Sequence, residues 1–309
     1  MEWSERDPGE PGPGEIRVRQ KAAGINFIDV YFRNGTYKAP SLPFVPGKEG
    51  AGSVVAVGEG VEDLSVGDRV AYNNAAGSYA EEVVVKADQT ARLPDGIDEE
   101  LAAGIMLKGM TAEYLLRRTY KVGPGTTILF HAAAGGVGLI ACQWAKHLGA
   151  TVIGTAGSKE KCELALQHGC DHAIDYRTED FVARVAEITG GAKCDVVYDS
   201  VGRDTYPKSL DCLRRQGLFV SFGQSSGTIE DFQLALLNTK GSLFATRPSL
   251  FGYTATKEEF RESANALFEV VRSGAVKIRI NQRYRLEDAR KAHEDLEARR
   301  TTGVSILTV

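Results

Sequence analysis

The chain has 309 residues, of which 43% are hydrophobic and 25% charged, a balance typical of a globular protein with room for two domains. Its formal net charge of −4 at pH 7 disfavours binding of nucleic acid, which needs a basic surface. The sequence has no apolar run of about 18 residues and no apolar signal-peptide core, so we expect no membrane span and a cytoplasmic protein.

The first hundred residues read as β-rich. Three segments carry alternating or β-branched apolar residues and are broken by glycine, proline or asparagine: EIRVRQKAAGI, GSVVAVGEGV and GDRVAYNNAAGSYAEEVVVK. These patterns predict short strands joined by turns.

From about Met110 the pattern changes to alternating strands and helices. Predicted strands are TILFHAA, TVIGTA, HAIDY, CDVVYDSVG and LFVSFG. The helices between them are GLIACQWAKHLG, KEKCELALQHG, TEDFVARVAEITGG with Thr178 as N-cap, and TYPKSLDCLRRQG. Short apolar strands alternating with helices predict a parallel sheet that is covered on both faces.

After about residue 250 the pattern changes again. The helices KEEFRESANALFEVVRSG and EDARKAHEDLEARR flank a strand near IRINQRYRL, and VSILTV forms a last strand. We expect these elements to return to the β-rich part. The predicted domains are therefore 1–110 with 250–309, and 111–249.

Glycines cluster after the first strand of the α/β part, where LFHAAAGGVG places Ala133, Gly135 and Gly138 at the spacing of the dinucleotide fingerprint. In that motif the chain turns tightly out of a strand, its backbone lies against a pyrophosphate, and the next helix points its N–H groups at that charge. We expect Gly135, Gly136, Val137 and Gly138 to bind a dinucleotide.

The tip of the second strand indicates which dinucleotide binds. NAD-binding units place an acidic residue about 20 positions on, but here the strand ends in Gly157, Ser158 and Lys159, followed by Lys161. A hydroxyl and an ammonium group attract a 2′-phosphate, whereas an acid would repel it. Glu160 in the same segment weakens this argument. We predict NADPH rather than NADH, held through Gly157, Ser158 and Lys161.

The five cysteines form no CxxC pair and fall inside the predicted nucleotide-binding part, where we interpret them as reduced thiols.

The whole chain from about residue 15 resembles the medium-chain dehydrogenases/reductases, in particular their zinc-free quinone oxidoreductase branch, which is similar to zeta-crystallin. The resemblance rests on AAGINFIDVYFRNGTY, PFVPGKEGAG, VGDRVAY, FHAAAGGVGLIACQWAK, VVYDSVGRDT and LFVSFGQSSG. It implies an α/β fold: a doubly wound parallel Rossmann sheet that binds NADPH, plus a β-rich GroES-like catalytic domain. It also implies that the chain starts some fifteen residues later than its relatives.

The zinc dehydrogenases of this superfamily carry a cysteine near Ile25 and Asn26 and a histidine in a GHE motif. Here the segments read GINFIDV and GKE, so that Lys48 replaces the histidine and the cysteine is missing. We therefore expect no metal and no polarisation of a carbonyl by a Lewis acid. The substrate must then be a good electron acceptor, such as a quinone or another small electrophile.

The resemblance also implies site residues. Asn26 and Tyr37 are implied as catalytic hydrogen-bond donors to a quinone bound in the interdomain cleft, though both also fit purely structural roles. Beyond the glycine loop and the second-strand tip, the implied cofactor residues are Phe27, Ile28, Asp29, Val30, Tyr31, Tyr114, Tyr176, Ser200, Phe222, Gly223, Gln224, Ser225 and Arg299. For Tyr114 core packing, and for Arg299 a solvated charge, are close alternatives.

Residues Phe244 to Leu250 resemble the segment through which Rossmann edge strands of two subunits pair, which implies a homodimer. The leading hypothesis is an NADPH:quinone oxidoreductase. The alternatives are an NADPH-dependent alkenal or enoyl reductase on the same scaffold, and a non-catalytic NADPH-binding protein of the crystallin or RNA-binding kind.

Overall fold

The structure, a computed structural model, describes residues 1–39, 41–73 and 76–309. The chain divides into two compact units. The first unit comprises 1–110, 253–274 and 278–309, and the second comprises 111–252 and 275–277. Strands and helices are numbered below in chain order through both units.

The first unit is built on a mainly antiparallel sheet. Its strands are β1 (Glu15–Gly24), β2 (Gly50–Val57), β3 (Arg69–Tyr72), β4 (Glu82–Lys86), β5 (Thr90–Arg92), β12 (Ile280–Arg285) and β13 (Val304–Thr308). They pair in the order β12-β13-β1-β2-β3-β5, with β4 also on β1, and only the β12–β13 pair among them is parallel. Ala22 of β1 lies opposite Thr308 of β13, so the last strand returns to the first sheet as the sequence indicates.

Side chains from the strands of this sheet and from the loops beside them form one core cluster of the first unit. The buried set is Ile16, Val18, Val54, Leu64, Val70, Tyr72, Val83, Val85 and Ala87. The period of two in β1, where Ile16 and Val18 are fully buried, is what a half-buried strand requires.

Two helices of the first unit were not predicted from the sequence. They are α1 (Phe27–Arg33) and α2 (Glu99–Tyr114), the latter continuing at Thr111 into the second unit. Much of α2 is buried, including Ile105, Met106 and Met110, so it lacks the alternation of polar and apolar faces that marks a surface helix. The helices α9 (Lys257–Arg272) and α10 (Ala289–Glu297) complete the unit.

The second unit contains a parallel sheet with helices between its strands. The strands are β6 (Thr127–Phe130), β7 (Thr151–Ala156), β8 (His172–Asp175), β9 (Cys194–Asp199), β10 (Leu213–Ser221) and β11 (Phe244–Thr246). Their order is β11-β10-β9-β6-β7-β8 and every pair is parallel. This is the doubly wound Rossmann order, in which the strand sequence reverses between β6 and β9. The predicted fold class is confirmed.

The helices of the second unit are α3 (Gly136–His147), α4 (Lys159–Gln167), α5 (Phe181–Ile188), α6 (Lys208–Asp211), α7 (Leu234–Thr239) and, at its end, α8 (Leu250–Tyr253). The prediction that Thr178 caps α5 is wrong, because the Asp180 side chain accepts a hydrogen bond from Val182 N instead. The predicted helix before LFVSFG is also too long, since Leu213 already pairs with Cys194 in the sheet.

Within the part of the chain that the structure describes, no helix is long and apolar enough to cross a membrane. The five cysteines are free thiols, four of them buried and Cys162 half-buried.

Candidate functional site

The predicted dinucleotide loop lies between β6 and α3 of the second unit. Ala133 N donates to Thr155 O on the neighbouring strand β7 at 2.9 Å, and Gly135 N donates to Ala132 O at 2.9 Å, which closes a tight turn. Gly135 is the N-cap of α3, so the helix begins directly at this turn. The first N–H groups of α3 have no intrahelical partner and offer a site for an anion.

Gly138 shows why the last glycine of the motif is required. A Cβ at this position would lie 2.5 Å from both Ala132 O and Ala133 O, which is closer than real Cβ contacts. Since both obstacles are backbone atoms, only glycine allows α3 to pack this closely on the loop. The cradle therefore has the shape that a pyrophosphate needs, and the residues present fit a dinucleotide.

The tip of β7 carries the residues predicted to select NADPH. Ser158 is the N-cap of α4, and its Oγ accepts a hydrogen bond from Lys161 N at 3.3 Å. Gly157 leaves space for the Tyr176 hydroxyl, which a Cβ at position 157 would strike. Hydrogen bonds from its own backbone N–H and from Ser158 lower the pKa of the exposed Glu160. An anionic carboxylate therefore shares this tip with Lys161.

The remaining predicted residues of the second unit follow the carboxyl ends of β9 and β10. Phe222 N donates to Asp199 O at 2.8 Å, and Ser225 N donates to Ser200 O at 3.1 Å. Gly223 permits a close approach to Ser200, because a Cβ would lie 2.6 Å from Ser200 O. Parallel strands present their carboxyl ends at one edge, so these residues and the glycine loop share that edge.

Arg247 and Asp199 hold this edge together and were not singled out from the sequence. The Arg247 guanidinium donates to Gly223 O at 2.9 Å and to Gln224 Oε1 at 3.1 Å. Asp199, which is fully buried, accepts from Val201 N and Gly202 N through Oδ1 and from Thr205 Oγ1 through Oδ2. An aspartate at the end of a buried strand, with a glycine three residues later, is the signal that marks such a loop.

A buried histidine continues this network. Ser209 Oγ donates to Asp199 Oδ2 at 2.9 Å and lies 3.0 Å from His131 Nε2, while His131 Nδ1 lies 2.9 Å from Thr155 Oγ1. Since the Ser209 proton goes to Asp199, His131 Nε2 donates and Nδ1 accepts. Burial lowers the pKa of His131, which fits this neutral tautomer. The network fixes β6, β7 and β9 beneath the predicted cofactor edge.

In the first unit, Asn26 belongs to a buried polar cluster around Glu49. Asn26 Nδ2 and Lys108 Nζ each donate to Glu49 Oε1 at 2.8 Å, and Leu107 N donates to Oε2 at 2.6 Å. Glu49 is fully buried and Lys108 nearly so. A Cβ on Gly24 would strike the Glu49 carboxylate, which explains the glycine there. Asn26 is thus positioned by a buried ion pair that sequence reasoning missed.

The other predicted residues of this region lie on or beside α1. Asp29 and Val30 face the interior, whereas Phe27, Ile28 and Tyr31 are buried to a smaller extent. Tyr37 N donates to Tyr31 O at 2.9 Å, and the two rings meet edge to face at 5.3 Å between centroids. The structure therefore brings Tyr37 against the helix that begins after Asn26.

Tyr114 belongs to the second unit and Arg299 to the first. Tyr114 is buried in the second unit at the end of α2, with 2% of its surface exposed. Arg299 is exposed in the first unit just after α10, with a positive φ of 59°. Among the described residues, no cluster of three or more histidine, cysteine, aspartate or glutamate side chains could hold a metal ion.

Family models match both parts of the chain. Residues 12–123 match the alcohol dehydrogenase GroES-like domain, and residues 136–269 match the zinc-binding dehydrogenase family.

Individual relatives extend this likeness over the full length. A quinone oxidoreductase of Salmonella typhimurium is 56% identical, with 99% of this chain and 95% of the relative covered. A 2-haloacrylate reductase of a Burkholderia species is 44% identical, covering 99% and 94%.

The solved structure of Escherichia coli quinone oxidoreductase complexed with NADPH superposes with a TM-score of 0.97 at 53% identity, and the match covers 99% of this chain and 95% of that one. Since relatives of this identity match over the full length, the chain belongs to the quinone oxidoreductase family.

Proposed function

We propose that this chain reduces quinones with NADPH and without a metal ion. The observation that carries the proposal is the glycine cradle at the carboxyl edge of the parallel sheet, followed by Ser158 and Lys161 at the tip of β7. NADPH, when bound there, supplies a hydride, and the protein supplies position and hydrogen bonds. The relatives described above support this activity and cofactor.

The test compares electron acceptors. The purified protein should oxidise NADPH with 1,4-benzoquinone and 9,10-phenanthrenequinone at a higher kcat/KM than with a 2-alkenal. A clear preference for the alkenal would favour the second candidate, an alkenal or enoyl reductase. The 2-haloacrylate reductase relative is the observation that keeps this candidate open.

The site residues are part of this proposal. In the second unit, Gly136 and Val137 bind the pyrophosphate and Lys161 binds the 2′-phosphate of NADPH. In the first unit, Asn26 and Tyr37 hydrogen-bond one of the two quinone oxygens. Asn26 retains one further amide hydrogen for this role, since one of the two is donated to Glu49. Asn26→Ala should lower kcat more than it raises the Michaelis constant for NADPH.

We also propose a homodimer that forms through β11. Strand β11 lies at the edge of the parallel sheet, and exposed apolar side chains cluster in sequence around it. Phe244 is 62% exposed and Leu234, on α7, is 74% exposed. An open edge with apolar side chains favours pairing with a second chain. Light scattering should find a dimer that Phe244→Asp converts to a monomer, whereas Val66→Asp, at an equally exposed valine of the first unit, should leave it intact.

A non-catalytic NADPH-binding protein would bind NADPH and reduce no acceptor, and a gel shift at physiological salt would test for RNA binding. The formal net charge of −4 disfavours binding of RNA.

The free thiols fit a reducing compartment, so we place the protein in the cytoplasm.

A further inference from the structure

A cavity of about 290 Å³ lies inside the first unit, and we call it the Lys48 cavity. Its lining includes Asp29, Phe32, Phe44, Pro46, Gly47 and Lys48. A volume of this size admits a small ring or one end of a larger molecule. The charged residues of the lining are Asp29, Lys48, Arg6, Asp7 and Glu82. Among these five, Asp29 is buried and Lys48 is half-buried.

The two oxygens of Asp29 have different surroundings. Oδ2 accepts from Asn26 N at 2.9 Å and from the Tyr79 hydroxyl at 3.1 Å. Oδ1 is buried and has no hydrogen-bond partner among the described residues. Asp29 itself is only 1% exposed. A buried polar oxygen without a partner is costly, and it marks a place where a ligand or a proton belongs.

His293 determines where the proton on Asp29 lies. His293 Nε2 is 3.0 Å from the Tyr79 oxygen, and burial lowers the pKa of His293 to about 4. We assign the His293 proton to Nε2, because Nδ1 is buried without a hydrogen-bond partner among the described residues and an unpaired N–H there would be costly. His293 then donates to the Tyr79 oxygen, and the one phenolic proton of Tyr79 is donated to Asp29 Oδ2. With Oδ2 accepting two hydrogen bonds, a protonated Asp29 carries its acidic hydrogen on Oδ1.

Asp29 is balanced between its two charge states near neutral pH. Burial, together with the nearby charge of Glu49, raises its pKa to about 7 against the opposing effects of the Asn26 N–H, the Tyr79 hydroxyl and Lys108. A carboxylic acid in this state is suited to giving up a proton during a reaction.

Lys48 offers a positive charge beside this acid. Its Nζ lies 4.8 Å from the centroid of the Phe32 ring, and no described carboxylate lies within 4.0 Å of it. Burial lowers the pKa of Lys48, and the charge of Asp29 opposes that shift. An ammonium group without a carboxylate partner has N–H donors to offer an incoming oxygen.

We propose that the Lys48 cavity binds the acceptor oxygen on which negative charge develops, with Lys48 Nζ donating a hydrogen bond to it and Asp29 Oδ1 giving it a proton. The proposal rests on the proposed quinone reduction. NADPH delivers a hydride to the quinone, which becomes a hydroquinone anion. The O–H bond of Asp29 then breaks, an O–H bond forms on the anion, and the Asp29 carboxylate regains a proton from water. Tyr79 is a positioning residue that holds Oδ2.

The first experiment needs no NADPH. 4-Nitrophenol has one ionisable hydroxyl on a six-membered ring, so its phenolate, like the hydroquinone anion, carries negative charge on a ring oxygen. Its visible absorption distinguishes phenolate from phenol. We expect the cofactor-free protein to bind it as the phenolate, and Lys48→Gln to weaken that binding at least about 10-fold through loss of a charge-assisted hydrogen bond. Lys86→Gln, at an exposed lysine of β4, is the matched control and should bind as the wild type does. Equal affinity in the Lys48 variant, or no binding to the wild type, overturns the proposal.

The second experiment measures kcat with 1,4-benzoquinone and saturating NADPH as a function of pH. The acid must be protonated, so the wild-type rate should fall as pH rises through about 7. Asp29→Asn keeps an oxygen for Asn26 N and Tyr79 but has no proton to give. It should lose roughly 100-fold or more in kcat and show no break near neutral pH.

If Asp29 had a purely structural role, the result would differ. The break in kcat near pH 7 would persist in Asp29→Asn, while the melting temperature of this variant would fall. That outcome refutes the role of Asp29 in proton transfer. A wild-type protein that reduces no quinone instead refutes the proposed function, and the 4-nitrophenol titration still tests the cavity separately.

Discussion

Reversal of the charge at Lys161 tests how the chain selects its cofactor. Lys161 is the third residue of α4 after the N-cap Ser158, whose Oγ already accepts from Lys161 N. Lys161→Glu therefore creates the Ser-x-x-Glu arrangement of a capping box and places a negative charge at a helix N-terminus, where it is favourable. The variant should fold at least as well as the wild type, so a loss of NADPH binding cannot be attributed to unfolding.

The magnitude follows from the lost contact. A hydrogen bond from an ammonium to a phosphate contributes about 1.5–3 kcal/mol, which corresponds to roughly 10- to 150-fold in affinity. The glutamate placed at position 161 would also repel the 2′-phosphate, in addition to the charge of Glu160. We therefore expect the affinity for NADPH to fall by an amount in the upper half of this range. NADH lacks the 2′-phosphate, and its Kd should change by less than about 2-fold, since no charge-assisted contact is lost.

Calorimetric titration of both dinucleotides into the wild type and the variant gives the four dissociation constants. Lys161→Gln removes the charge without reversing it and should give an intermediate loss. Lys121→Glu makes the same charge change at an exposed site before β6, and should alter neither affinity. An equal rise in Kd for NADH and NADPH would refute the assignment of the 2′-phosphate to Lys161.

Three further predictions concern buried groups, each read from urea unfolding monitored by circular dichroism. Glu49→Gln breaks the buried ion pair with Lys108 and should lower the free energy of unfolding by about 3–5 kcal/mol. The double variant Glu49→Gln/Lys108→Met removes the unpaired charge and should recover part of this loss. A loss below about 1 kcal/mol in the single variant would contradict the reasoning. The pKa of Asp29 is about 7 in the folded chain and 3.8 in the unfolded chain, so the folded chain keeps this proton to a higher pH. The free energy of unfolding of the wild type, relative to that of Asp29→Asn, should therefore fall by about 4 kcal/mol as pH rises from 3.8 through 7. A difference that stays constant or rises would be inconsistent with a raised pKa. Gly138→Ala forces a Cβ onto two backbone carbonyl oxygens and should destabilise the chain by about 1–3 kcal/mol and weaken NADPH binding, whereas Gly123→Ala, with open space around it, should do neither.

The second unit was predictable because its signals are local. Short apolar strands, glycines at helix ends and a glycine loop directly after a strand are contiguous in sequence, and the observed order of β6 to β11 follows from rules for parallel sheets. Where two local signals compete, prediction failed. Thr178 and Asp180 are both good capping residues, and α5 begins at Phe181, so that Asp180 is the N-cap.

The first unit was predicted less completely, for a physical reason. Helix α2 is buried on most sides, so its apolar residues show no helical period, and its sequence does not distinguish it from a strand-rich segment. The return of β13 to β1 was indicated by the change of pattern after residue 250. Its register, with Ala22 opposite Thr308, depends on contacts nearly three hundred residues apart in sequence.

The sequence by itself determined the kind of fold and the family, and it predicted the place of a dinucleotide cradle, because glycine spacing and strand–helix alternation are properties of neighbouring residues. The tertiary structure decided which charges meet. Glu49 with Lys108, Arg247 with the loop after β10, and Asp29 with Tyr79 and His293 are each separated by many residues in the chain. Their pairing depends on folding, because burial and a distance of about 3 Å give a charge its energy, and neither can be read from residue type alone.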